Sequence, residues 1–293
     1  MLPVLLLLGN IGMYCASSLF MKSYQVSAGP GHFQIAFMNV VLSGSVFVGF
    51  IAFKGFSLHY TWLTLTLAIV FGVGLWIYNT LKVKASSCGP MAILTMCVVI
   101  GGVTIPTLYG LIVLGEPVIP HKIIGILLIS LSFVPLLLKS RHQMVFSFKF
   151  WLLCILLLLL NGTLTTISKV AQLNSEPVYS MDYVALYYFF FFLLAIGAMI
   201  KDLHRPDAYD LKITLTLPHF LMAAASGLFN AVGAVFNYLL SFHMPASIQF
   251  PLTQSALLVG ITVMSLILYR EKPNKETILS LLLTIASIVL ISV

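Results

Sequence analysis

The sequence predicts an all-α integral membrane protein whose ten transmembrane helices form two inverted five-helix repeats. Three observations predict it: too little charge for a water-soluble surface, apolar runs of about twenty residues along the whole chain, and a self-match between the two halves. Of 293 residues, 60% are hydrophobic and 8% charged, whereas a soluble domain carries roughly 25% charged residues. Runs of that length span a hydrocarbon slab of about 30 Å as a helix.

Apolar runs bounded by charged or Pro/Gly-rich breaks define the elements. The first, residues 3–22, ends at Lys22; although Leu2 to Leu8 is apolar like a leader, it lacks a basic leading segment and a small-residue cleavage site, so it counts as a span. The second, 32–53, follows Gly29-Pro30-Gly31 and stops at Lys54, and the third, 60–80, stops before Lys82. The fourth, 89–114, starts at Pro90 and is closed by Gly115-Glu116-Pro117; the fifth, 121–138, stops at Lys139. After the polar connection from Lys139 to Lys149 come 150–170, 179–200, 217–241, 246–269 and 275–292. Between the seventh and eighth spans lies a second polar connection, Lys201 to Lys212, with Asp202, Asp207 and Asp210. Pro106 and Pro251 fall inside the fourth and ninth runs, where a missing N–H frees a carbonyl and favours a kink.

Sliding the second half over the first with an offset of 155 brings Pro90 onto Pro245, Ile93 onto Ile248, Glu116 onto Glu271 and Ser132 onto Ser287. With an offset of 151, Asn10, Tyr14, Ser17 and Ser18 fall on Asn161, Thr165, Ser168 and Lys169, so both first helices carry a polar stripe on one face. The repeats occupy residues 1–140 and 147–293. Five spans per repeat is an odd number, so the repeats cross the membrane in opposite senses. The two Glu-Pro stretches then read as tight turns between the fourth and fifth helices, each carboxylate meeting the positive end of the following helix and each proline placed where no helical hydrogen bond is lost.

With this architecture and these turns, Gly115-Glu116-Pro117 and Arg270-Glu271-Lys272-Pro273, the chain resembles the EamA-type branch of the drug/metabolite transporter superfamily over essentially its whole length. The resemblance implies a ten-helix inverted-repeat fold, a central cavity lined by the first, third and fourth helices of each half, and transport of small metabolites, often amino-acid-like or drug-like. One feature departs from the family habit of keeping both termini inside. Twelve Lys and Arg follow odd-numbered spans and three (Lys54, Lys122 and Lys169) follow even-numbered ones, which by the positive-inside rule puts both termini outside.

All eight acidic residues and all seven histidines fall in connections or near span ends. A proton relay uses a buried carboxylate or histidine, and a hydrolase needs an acid, base or metal cluster; neither stands mid-span, so facilitated diffusion or exchange is favoured and an enzyme is not expected. The net charge of +7 reads as orientation signal rather than a nucleic-acid footprint. Cys15, Cys88, Cys97 and Cys154 show no CxxC spacing and read as small lipid- or core-facing residues. Asn161-Gly162-Thr163 matches a glycosylation sequon but lies mid-span, beyond a transferase's reach.

The mid-span polar residues are uncharged. Asn10 and Asn161 sit near helix centres, where an unpartnered amide costs on the order of a few kcal/mol; an interhelical hydrogen bond and a water-filled cavity both answer that cost. In the eighth span Ala223, Gly227 and Ala231 form a small-residue packing ridge, with Asn230 and Asn237 on another face. Gly72, Trp76 and Asn79 share a face of the third span, and Trp76 either stacks on a flat or cationic group or is an ordinary interfacial or core aromatic. Lys22 and Lys169 could each hold a substrate carboxylate but read as snorkelling to an interface, and Tyr187-Tyr188-Phe189-Phe190-Phe191-Phe192 reads as lipid-facing bulk rather than a ligand cage.

The expected function is a secondary transporter, a facilitator, exchanger or exporter of a small polar or amphipathic metabolite such as an amino-acid-like compound, working by alternating access at a midplane site. The expected substrate contacts are Asn10, Tyr14, Trp76, Asn79, Asn161, Thr165, Asn230, Asn237 and Gln254. A flippase of lipids or lipid-linked carriers is the alternative. Neither cofactor nor metal is expected; the partners are the substrate and membrane lipids, for a monomer or homodimer in the cell membrane, the inner membrane if the cell is bacterial.

Overall fold

The computed structural model describes residues 2–28, 31–54, 58–86, 91–117, 120–132, 134–135, 148–175, 179–204, 216–268 and 275–292. They form ten helices and, among the described residues, no strand: α1 (Leu2–Ala28), α2 (His32–Lys54), α3 (Trp62–Ser86), α4 (Met91–Ile112), α5 (Pro120–Ser132), α6 (Phe148–Leu173), α7 (Ser180–Leu203), α8 (Leu217–Leu240), α9 (Ala246–Leu268) and α10 (Lys275–Ser292). Each coincides with one of the ten apolar runs. Six, namely α1, α2, α3, α6, α7 and α8, are long and apolar enough within the described residues to cross a membrane. The chain is a helical membrane protein. Glu271, Pro273 and Cys88 lie outside the described residues.

The chain divides into two compact units, Met1–Trp76 with Ala171–Leu239 and Ile77–Val170 with Leu240–Val293. In the first unit α2 packs along α7. The ridge of α8 is a packing surface, as its small residues predict: Ala223 and Ala231 are buried, and a Cβ on Gly227 would stand 2.5 Å from the Leu42 carbonyl oxygen of α2. On α1, Ser17 Oγ donates to Ser226 O at 2.9 Å, and Ser226 Oγ returns a bond to Ser17 O at 3.0 Å. The aromatic run of α7 is not lipid-facing bulk. Tyr187, Tyr188 and Phe191 are buried, with Phe71 of α3 at 4.5 Å between ring centroids from Tyr187, because these rings fill space between helices and Tyr188 has a hydroxyl to satisfy there.

In the second unit α4 packs on α9, and α5 on α10. The α10 helix is built inside out by soluble standards. Ser280, Thr284 and Ser287 recur on one buried face while Leu279, Leu282, Ile285 and Val289 are exposed, which is the arrangement lipid selects, since small hydroxyl residues let helices approach closely. Ser287 Oγ donates to Gly125 O of α5 at 2.8 Å. A second cluster joins Ala85 of α3 and Leu94 of α4 to Phe150, Leu153, Cys154 and Leu157 of α6. Cys15 and Cys154 are buried, in keeping with core-facing thiols.

Candidate functional site

The nine residues expected to touch substrate fall into two groups. In the first unit, Asn10 is buried and its Nδ2 donates to Gly233 O of α8 at 2.8 Å. Tyr14, one turn later, lies over the same glycine, whose hypothetical Cβ would stand 3.1 Å from the tyrosine ring. Asn230, one turn before Gly233, accepts the Tyr188 hydroxyl through Oδ1. Asn10, Tyr14 and Asn230 thus converge on one stretch of α8. Asn237, two turns further along the helix from Asn230, is half-buried, as is Trp76 on α3. Gly72, which shares the Trp76 face, lies against α7: a Cβ there would stand 2.7 Å from Tyr187 O.

In the second unit the convergence is on Gly102 of α4. Asn161 Nδ2 donates to Val98 O at 2.8 Å. A Cβ on Gly102 would stand 2.5 Å from Asn161 Nδ2 and 3.3 Å from Gln254 Nε2, so the missing side chain is the space that two amides use. Pro106 sharpens this, because a proline leaves the carbonyl four residues earlier, that of Gly102, without its helical donor. Thr165 does not join the group through its hydroxyl, which returns to Asn161 O and Gly162 O of its own helix at 2.9 and 2.8 Å. Asn79 is half-buried on α3.

Both repeat-related asparagines therefore commit Nδ2 to the backbone of another helix, which satisfies the amide where hydrocarbon could not.

Two charged residues do more than the sequence suggests. Lys169 does not snorkel. It is buried, and its Nζ donates to Ser241 O at 2.9 Å and Met244 O at 3.2 Å in the turn between α8 and α9. The signal was present: Lys169 closes the polar stripe that Asn161 opens, so its stem starts on the inward face. Glu116 accepts from the N–H groups of Ala246 and Ser247 at 2.7 and 2.8 Å, at the N-terminus of α9. It meets a helix dipole, as expected, but not that of the helix following it. The turn itself explains the difference: Gly115 has φ 65°, a left-handed conformation suited to glycine, and Glu116 N–H returns to Gly110 O at 3.1 Å. That geometry sends the side chain back along α4, and Pro120, rather than Pro117, opens α5.

At the end of the first unit lies a cavity of about 740 Å³, lined by residues 58–61, Thr64, residues 173–175 and Tyr179. Thr61 and Thr64 cap α3 reciprocally, Thr61 N–H donating to Thr64 Oγ1 at 2.9 Å and Thr64 N–H to Thr61 Oγ1 at 3.1 Å, the pairing of a capping box. Asp182, at a span end as the sequence places it, is fully buried, with its Oδ2 3.9 Å from Nδ1 of the lining residue His59.

No family model matches the chain, and no curated protein sequence matches it. Twenty-eight solved chains are similar in structure. One of them, a crystal structure described only as that of a protein, aligns over 98% of this chain and 95% of its own with a TM-score of 0.70 at 17% identity. At that identity the likeness shows a shared fold and nothing about activity.

Proposed function

We propose that the chain is a secondary transporter of a small polar or amphipathic metabolite, built as an inverted five-helix repeat of the EamA type and working by alternating access in the cell membrane. The observation that carries the reading is the pairing of helices five apart: α2 with α7, α4 with α9, and α5 with α10. A five-helix repeat related by a pseudo-two-fold axis brings just such counterparts together. Ser132 and Ser287, matched by the repeat, are both fully buried, which supports the same correspondence. Within each unit, uncharged mid-span amides, Asn161 and Gln254 at Gly102 in one and Asn10 at Gly233 in the other, are the polar groups that support the reading.

Purified protein in proteoliposomes, offered a panel of water-soluble metabolites, tests this. Uptake that is lost in Asn161→Leu, while the variant keeps its gel-filtration profile, supports the reading. Scrambling of a fluorescent phospholipid without solute uptake would replace it with a flippase, and normal transport by both Asn161→Leu and Asn230→Leu would remove those residues from the site.

A further inference from the structure

A file of tyrosines joins the cavity at the end of the first unit to the amides that converge on α8. Tyr183 and Tyr187 follow the cavity residue Tyr179 at helical spacing, with Tyr188 beside them, so one face of α7 carries the file about 13 Å inward. Tyr238 of α8 closes it at the cavity end: its hydroxyl donates to Ala171 O at 3.3 Å and bonds the hydroxyl of Ser175, a lining residue. Ring centroids lie 5.7 Å apart from Tyr238 to Tyr183, 5.5 Å from Tyr183 to Tyr187 and 4.7 Å from Tyr187 to Tyr188. At the inner end the Tyr188 hydroxyl donates to Asn230. Phe71 of α3 packs beside Tyr183 at 6.3 Å. None of the four tyrosines is more than 6% exposed, so their rings fill the interior between the cavity and the amides.

Leucines would fill that interior without a polar atom. Each tyrosine instead brings a hydroxyl that needs a partner where no bulk water reaches. Tyr188 and Tyr238 have one. The Tyr183 hydroxyl is buried and has none among the described residues. A buried donor without a partner disfavours the packed arrangement, and a swing of this side chain toward the cavity, one helical turn away, would give the hydroxyl water. We propose that the cavity is one mouth of the substrate route and that Tyr183 is the movable part of the partition between it and Asn230. Packed, the ring seals the route; swung outward, it opens a path lined by the Tyr187 and Tyr188 hydroxyls, which suits a small polar solute.

The test reads access to Asn230. Full-length protein with Cys15, Cys88, Cys97 and Cys154 replaced by Ala and carrying Asn230→Cys is labelled in detergent with a charged, water-soluble methanethiosulfonate, and the initial rate is followed by mass spectrometry. Leu173→Trp adds bulk at an exposed lining residue, and the part of the rate it removes is the part that enters through the cavity. Tyr183→Ala is expected to raise that part at least about ten-fold. Tyr183→Phe keeps the ring and removes the unpartnered hydroxyl, so it should lower that part at least about two-fold with no fall in melting midpoint. Labelling of the Tyr183→Ala protein that is no faster than the parent's, or that Leu173→Trp fails to suppress, would overturn the proposal. Should Tyr183→Ala not fold, Tyr183→Leu takes its place with the same readings, and a Phe variant labelled as fast as the parent overturns the proposal alone. The proposal rests on the transporter reading, but labelling is read without flux: a closed cavity with uptake intact removes only this route, and an open one without uptake of any solute removes only the transporter reading.

Discussion

Glu116 accepts the backbone N–H of Ala246 at 2.7 Å, a bond that joins residues 130 apart in sequence. Its other oxygen takes Ser247 N–H at 2.8 Å, so one carboxylate satisfies two of the donors that a helix N-terminus leaves without intrahelical partners. Glutamine in its place has a single acceptor oxygen and no charge. Glu116→Gln is expected to lose about 2 kcal/mol of stability, the scale of a charge-assisted hydrogen bond, measured as a lower midpoint in thermal gel filtration. A midpoint equal to that of the wild type would mean that the clasp contributes nothing. Gly110 has a matching role: a Cβ there would stand 2.7 Å from Glu116 Oε2, so Gly110→Ala should reproduce the loss by displacing the carboxylate.

The space above Gly102 predicts a coupling. Adding a methyl group there displaces Asn161 Nδ2 and with it the 2.8 Å bond to Val98 O. Gly102→Ala and Asn161→Leu each should cost about 1 kcal/mol, in the range of interhelical hydrogen bonds in membranes. Combined, they should cost less than the sum by at least about 0.5 kcal/mol, since both remove one interaction. A double-mutant cycle of melting midpoints measures this, and full additivity would separate the two residues.

Tyr188 and Asn230 form a second such pair, hydroxyl to amide oxygen. Tyr188→Phe is expected to destabilise by about 1 kcal/mol because it leaves the asparagine oxygen without that donor. Adding Asn230→Leu should bring little further loss, as the partner to be satisfied is gone. If the two penalties add in full in the same melting assay, Asn230 is held by something other than Tyr188.

How much of this was legible depends on which physical property writes it. Helix positions follow from hydrophobic length, and all ten apolar runs coincide with helices to within several residues. The packing ridge of Ala223, Gly227 and Ala231 is equally legible, because small residues at helical spacing have one common use. Orientation around each helix is harder. In a chain this apolar, lipid and core favour the same residue types, so the sequence cannot distinguish Phe191, which is buried, from a lipid-facing phenylalanine. Tertiary partners are hardest. Nothing local to Glu116 names Ala246, and nothing local to Asp182, which reads as an ordinary span-end carboxylate, tells that it is fully buried.

Lys169 carries the most specific expectation. Its amine holds two carbonyls of the turn, Ser241 O and Met244 O, while Ser241 Oγ donates to Gln249 Oε1 at 2.6 Å and Glu116 holds the first N–H groups of α9. The turn is therefore fixed from both sides by two residues distant in sequence. Lys169→Met keeps the apolar stem and removes the donors, so the packing is retained while two carbonyls lose a partner, at about 1 to 3 kcal/mol each. Hydrogen exchange measured over residues 241–249 should accelerate in Lys169→Met and, independently, in Glu116→Gln, with the α2 and α7 amides unchanged. Exchange that stays at the wild-type rate in the lysine variant would show that the amine is merely accommodated there, and that α9 is held by the carboxylate alone.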